Sequence, residues 1–178
     1  DEIADMHDIK PQVAAITQQT MRGEISFEES LTRRTQLLQG LHEDALQKVY
    51  DERVRLSPGA EKMLQRAKQA GIKTMVISGG FTFFTERIKT RLGLDYAAAN
   101  VLQIEENRLT GKVLGTIIGR EMGIKPEQII AMGDGANDLD MMTAAGVSIA
   151  YHAKPIVRNH ATYSLNYVGL DGVVNLFT

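Results

Sequence analysis

Apolar positions follow two different rhythms along this chain. Residues 1–57 contain no run that reads as a strand: Gly23, Gly40 and Ser57-Pro58-Gly59 cut them into helix-length pieces, and Ser26 with Glu29 predicts a capped helix start. From Ser57 onward the grammar becomes βαβ. Met63, Leu64 and Ala67 predict the inner face of a helix that stops at Gly71, Lys73 to Ser78 a buried strand, and Phe84, Ile88 and Leu92 a helix ending at Gly93. A strand near Ala97 to Val101 and a hairpin-like segment over Leu102 to Val113, turning at Glu106-Asn107, form an antiparallel excursion. A second buried strand is predicted at Ile129 to Met132. It is followed by a helix to Ala145, a strand Val147 to Ala150, a short helix after Pro155, a weak strand Tyr163 to Leu165 and a last helix from Leu170. The pattern predicts an α/β fold with a parallel-sheet core over residues 58–178, including the excursion near 102–113, and a small helical module over residues 1–57.

One connection is out of proportion. A parallel crossover with its covering helix takes at least ~10 to 12 residues plus loops. The stretch from Gly115 to Ile129 is too short for that, and Thr116 to Met122 reads as the tail of a helix without a beginning. A chain discontinuity is therefore expected between Leu114 and Ile118. Asp1 to Ala4 likewise reads as the middle of a helix without a cap.

Candidate chemistry gathers where the two buried strands empty into Gly-rich turns, since open α/β sheets bind ligands outside the carboxyl ends of their strands. In Gly133-Asp134-Gly135-Ala136-Asn137-Asp138 two carboxylates lie four residues apart. Close together they call for a cation, and a few hard oxygen donors suit Mg²⁺, which keeps waters and takes further oxygens from a phosphate. Gly133 and Gly135 permit close backbone approach to a ligand, and the helix that follows favours an anion. The plainer alternative is a Gly-Asp turn with Asp138 as an ordinary N-cap. The other strand, Thr74 to Ile77, opens into Ser78-Gly79-Gly80-Phe81, and the two loops are expected to approach each other at one sheet end. In the helical module Phe27, Leu31, Arg34 and Leu38 share one helical face, which puts Arg34 in an apolar stripe while Arg33 points elsewhere. Arg34 either packs its stem and pairs locally, or grips a substrate carboxylate with its planar fork.

Composition trims the options. A net charge of -2 offers no basic surface for nucleic acid, no apolar run approaches the length of a membrane span, and no signal-peptide pattern starts at Asp1. With no Cys, disulfides, zinc thiolates and thiol nucleophiles are excluded, and the four His show no paired metal spacing. The cytoplasm is the default setting.

Across nearly its whole length the chain resembles the haloacid dehalogenase-like phosphatases, specifically their phosphoserine phosphatase branch. The blocks that carry the likeness, in family order, are Asp1-Glu2-Ile3-Ala4, Met21-Arg22-Gly23, Phe27 to Leu31, Val76 to Phe81, Leu109-Thr110-Gly111, Met132 to Asp138 and Ala150 to Pro155. The resemblance implies a Rossmann-like core with the helical module as its cap. It also implies Mg²⁺-dependent hydrolysis of phosphoserine to serine, the last step of serine biosynthesis, through an aspartyl-phosphate. By the same likeness Ser78 and Gly79 bind the phosphoryl group with Gly80 beside them, and Asn137 contacts the phosphate. Asp134 ligates the metal with support from Asp138, Arg34 holds the substrate carboxylate, and Met21 and Phe27 line the serine pocket. The partner is a small phosphorylated amino acid, not nucleic acid or membrane, and a homodimer is left open. Two family elements have no counterpart in the sequence: the nucleophilic Asp of an Asp-x-Asp-x-Thr turn, expected ahead of Asp1, and a phosphate-binding Lys, expected in the helix cut short after Gly115. The expectation is that these 178 residues are the ordered portion of a longer chain, numbered without gaps. The rival readings are another small-metabolite phosphatase of the same superfamily and, for a complete chain, a catalytically dead binding or regulatory domain.

Overall fold

The computed structural model describes residues 2–114 and 125–176. The discontinuity expected between Leu114 and Ile118 and the position expected for the phosphate-binding lysine lie outside the described residues. The chain forms two compact units, one of residues 1–55 with 75–118 and the other of 56–74 with 119–178.

The first unit begins with four helices, α1 (Glu2–Met6), α2 (Lys10–Met21), α3 (Phe27–Gln36) and α4 (Asp44–Arg53). Ser26 starts α3 as its sequence predicts, with Oγ accepting the Glu29 N–H at 3.1 Å. Strand β1 (Met75–Phe81), helix α6 (Thr82–Leu92) and strand β2 (Tyr96–Glu105) make a parallel βαβ unit, and β3 (Arg108–Leu114) returns antiparallel to β2. Gly93 ends α6 in the left-handed conformation that its lack of a side chain permits. Glu106 and Asn107 both take positive φ, 47° and 61°, the geometry of a tight hairpin turn. The helices and the hairpin share one core: Ile3, Leu38, Leu46 and Val49 pack with Leu102 and Leu109, and Phe81, Phe83 and Phe84 close over it. Backbone bonds reinforce that join, from Gly40 N–H to Leu109 O at 2.8 Å and from Leu109 N–H to Leu41 O at 2.9 Å.

Two local expectations change here. The separate strand and hairpin expected over 97–113 share one continuous strand, β2, whose first half pairs with β1 and whose second half pairs with β3, so this sheet is mixed rather than purely parallel. Strand β1 also does not stop at Ser78. It runs to Phe81 with a register shift between Ile77 and Phe81.

The second unit contains α5 (Ala60–Gln69) and a parallel sheet in the order β4 (Ile130–Gly133), β5 (Val147–Tyr151), β6 (Tyr163–Leu165). Helix α7 (Leu139–Ala144) links β4 to β5, and α8 (Pro155–Arg158) links β5 to β6. Their small core is Ala131, Met142, Ala150, Ala153 and Val157. The helix predicted from Leu170 is a 3-10 turn over Leu170–Leu176. It contains Gly172 and the branched pair Val173-Val174, all weak α-helix formers. This turn docks on the start of α5. Gly59, at φ +81°, has no room for a Cβ beside Asp171, Leu170 N–H donates to Pro58 O at 2.8 Å, and Lys62 Nζ reaches Asp171 Oδ2 at 2.8 Å. Among the described residues no helix is long and apolar enough to cross a membrane.

Candidate active site

Strand β4 ends at Gly133, and the chain then turns through Asp134 and Gly135 into a 3-10 turn, Ala136–Asp138, that leads into α7. The turn is organised from its far end. Asp138 Oδ2 accepts the backbone N–H groups of Asp134 at 3.0 Å and Gly135 at 3.1 Å, while Asp138 Oδ1 accepts Asn137 Nδ2 at 2.9 Å. Gly133 and Gly135 serve this internal packing. A Cβ on Gly133 would lie 2.6 Å from Asp138 Oδ2, and one on Gly135 would collide with Asn137 Oδ1. On the opposite side Asp134 O accepts Lys154 N–H at 3.1 Å.

The exposed carboxylate of Asp134 has no hydrogen-bond or ion-pair partner among the described residues. It opens on a cavity of about 780 Å³ whose walls include Ser57, Pro58, Met132, Tyr151 and His152. His152 stands at φ +45°, its N–H bonded to Leu165 O at 2.9 Å and its ring edge-on to Tyr151. A single unengaged carboxylate at a strand end is a donor that Mg²⁺ accepts, because this ion binds through one or two carboxylates and keeps waters and phosphate oxygens for the rest. Among the described residues no group of three or more His, Cys, Asp and Glu could hold a metal alone. One exposed carboxylate at a strand end fits an ion that takes few protein donors.

The Ser78 loop belongs to the other unit. From Ile77↔Ala98 to Phe81↔Asn100, four steps along β1 match two along β2, so Ser78-Gly79-Gly80 bulge out of the ladder. Ser78 Oγ accepts the Gly80 N–H at 3.0 Å, and the buried Asn100 donates through Nδ2 to Gly79 O at 3.0 Å and Gly80 O at 3.2 Å. Neither glycine has positive φ. Gly79 is crowded by a neighbour: a Cβ there would lie 3.2 Å from Phe27 Cζ, so the ring would have to give way slightly. Of the predicted residues in this unit, the fold therefore brings Phe27 onto Gly79. Met21 stands at the end of α2, 70% exposed.

Arg34 lies on the face that buries Leu31 and Leu38, with Nε donating to Ser30 O at 3.3 Å and no carboxylate partner among the described residues. Burial lowers its pKa from the ordinary arginine value. Arg33, one residue earlier, is spent on an exposed pair with Glu29 at 2.6 Å. Sequence reasoning passed over Asn100. Its signal was a lone amide in an otherwise apolar strand, Ala97-Ala98-Ala99-Asn100-Val101.

Comparison with known proteins gives this geometry its kin. A model of the haloacid dehalogenase-like hydrolases matches residues 1–146. A phosphoserine phosphatase of Polaromonas sp. is 48% identical over 193 aligned residues, covering 99% of this chain and 82% of the relative. A haloacid dehalogenase family hydrolase of Salmonella enterica serovar Typhi superposes with a TM-score of 0.91 at 41% identity, covering 98% of this chain and 64% of that one. A substrate-bound phosphoserine phosphatase complex superposes with a TM-score of 0.85 at 33% identity, covering 100% of this chain and 90% of the other. With the family match spanning most of its length and such relatives across nearly all of it, this chain belongs to the haloacid dehalogenase-like hydrolases.

Proposed function

We propose that this protein hydrolyses O-phospho-L-serine to L-serine and phosphate with Mg²⁺. The observation that carries the reading is the Asp134 loop: a carboxylate without a protein partner, exposed at the end of a parallel strand and held there by Asp138 through two backbone amides. The name of the Polaromonas relative and the substrate-bound neighbour support phosphoserine as the substrate.

In this reading Asp134 would hold the metal, which when bound would supply charge neutralisation at the phosphoryl oxygens. Asp138 fixes the Asp134 backbone and so supports the metal position, and Asn137, oriented by Asp138, contacts the phosphate. Ser78 and Gly79 bind the phosphoryl group, with Gly80 beside them. Arg34, already part-desolvated and without a carboxylate of its own, forks the substrate carboxylate, while Met21 and Phe27 line the side-chain pocket. Residues 1–57 act as the cap and 58–178 as the core, in a cytoplasmic setting. The residues named here supply binding, orientation and charge stabilisation.

The test is hydrolysis of phosphoserine by the full chain with Mg²⁺ and with chelator. Release of phosphate that depends on Mg²⁺ and exceeds that from phosphomonoesters without an amino-acid moiety is the expected result. Equal rates on all monoesters would make it a phosphatase of different substrate choice. No release from any of them would overturn the reading.

A further inference from the structure

The Ser78-Gly79-Gly80 bulge raises a question of accounting. A bulge takes backbone groups out of the ladder, and buried carbonyls without partners are costly. Here one buried side chain takes up two of the freed carbonyls of a half-exposed turn: Asn100, 6% exposed, donates to Gly79 O at 3.0 Å and Gly80 O at 3.2 Å. Asn100 sits in β2 opposite Phe81, the residue where normal pairing resumes. Its amide therefore spans the distorted segment from the neighbouring strand. Within the same turn Ser78 Oγ accepts the Gly80 N–H at 3.0 Å. The peptide groups around Gly79 and Gly80 are thus held by their carbonyls, and the direction of each carbonyl sets the direction of the N–H in the same plane.

We infer that Asn100 is a positioning residue for phosphoryl binding: it never touches the substrate, but its carboxamide sets the bulged conformation in which Ser78 and the adjoining amides can meet phosphate oxygens. The inference rests on the proposed phosphoryl role of Ser78 and Gly79. An apolar residue of similar size would leave the strand pairing on either side intact and release the bulge. An Asp at this position would set a carboxylate against two carbonyl oxygens.

The experiment titrates inorganic phosphate into the full chain. The parent is compared with Asn100→Ala, Asn100→Asp and, as a control for general loss of packing, Leu102→Ala, a buried core position on the same strand. We expect both Asn100 variants to weaken phosphate binding at least tenfold and to lower kcat/KM for phosphoserine in step. Leu102→Ala should lower Tm while holding the affinity of folded protein within about twofold. Parent-like phosphate affinity in either Asn100 variant, or an equal loss in Leu102→Ala, overturns the inference. If the Asn100 variants do not fold, the parent alone decides by nuclear magnetic resonance. The side-chain NH₂ of Asn100 should shift along the same phosphate titration as the Gly79 and Gly80 amides. Glycine amides that move while the Asn100 NH₂ stays still overturn the positioning role and leave the proposed site standing. Loop resonances that do not move at all sink the phosphoryl role of the loop, and the inference with it.

Discussion

The backbone N–H of Asp134 donates to Asp138 Oδ2 at 3.0 Å, so the second acidic residue of the loop holds the first in place. The same oxygen accepts the Gly135 N–H at 3.1 Å, which commits it to shaping the turn. The two aspartates share a loop and differ in work.

That difference predicts separable mutants. Asp134→Ala removes a carboxylate without a protein partner, so stability should change by no more than about 0.5 kcal/mol while Mg²⁺-dependent activity is lost. Asp138→Ala leaves two amides without their acceptor and should cost about 2 kcal/mol of stability as well as activity, since bonds to a charged acceptor contribute ~1.5 to 3 kcal/mol. Thermal melts beside phosphoserine assays check both. An equal stability loss in the two variants would show that Asp138 does not hold the loop.

Arg34 should reveal its role through the choice of substrate. Arg34→Ala should reduce kcat/KM on phosphoserine at least tenfold, because each ~1.4 kcal/mol of lost charge-assisted bonding is a factor of ten. A phosphomonoester without a carboxylate should be hydrolysed by the variant as it is by the parent. Equal losses on both substrates, together with a lower melting temperature, would mark Arg34 as a packing residue of α3.

Gly79 and Phe27 should behave as a coupled pair. A Cβ at Gly79 would lie 3.2 Å from Phe27 Cζ, tighter than ordinary contact, and the ring, 37% exposed, must move to admit it. Gly79→Ala should cost about 1 kcal/mol alone and less in a Phe27→Ala background, a coupling of ~0.5 kcal/mol or more. Strict additivity in the double-mutant cycle would refute the contact.

The Lys62–Asp171 pair gives a pH prediction of definite sign. Hydrogen bonding to Lys62 lowers the pKa of Asp171 from the ordinary carboxylate value. A depressed folded-state pKa contributes stability above the unfolded value, and that contribution disappears as pH falls through the folded value. The gap in melting temperature between parent and Asp171→Asn should therefore be open at neutral pH, close below about pH 4, and shrink with added salt because the pair is exposed. A gap that persists into acid would assign the effect to packing against Gly59.

Local signals had local causes and were readable in order along the chain. The Ser26 cap, the Gly93 stop, the Glu106-Asn107 turn and the strand into Asp134 each depend on a few adjacent residues whose backbone preferences need no distant partner. Periodicity likewise placed Arg34 on the face that buries Leu31 and Leu38 and sent Arg33 to solvent, because helix geometry alone decides which residues share a stripe. Only tertiary structure could decide what the glycines serve. Gly133 makes room for Asp138, and Gly79 makes room for Phe27, a residue far away in sequence. Nor does any pattern announce that β1 bulges at Ser78 or that Asn100 answers its carbonyls, since a register shift exists only between two strands and a buried amide has a role only once its partners are placed. Chain-local preference thus determined the elements and the candidate loops, including the Asp134 turn that Asp138 holds from four residues away, while the approach of a distant strand decided what holds the Ser78 bulge in its shape.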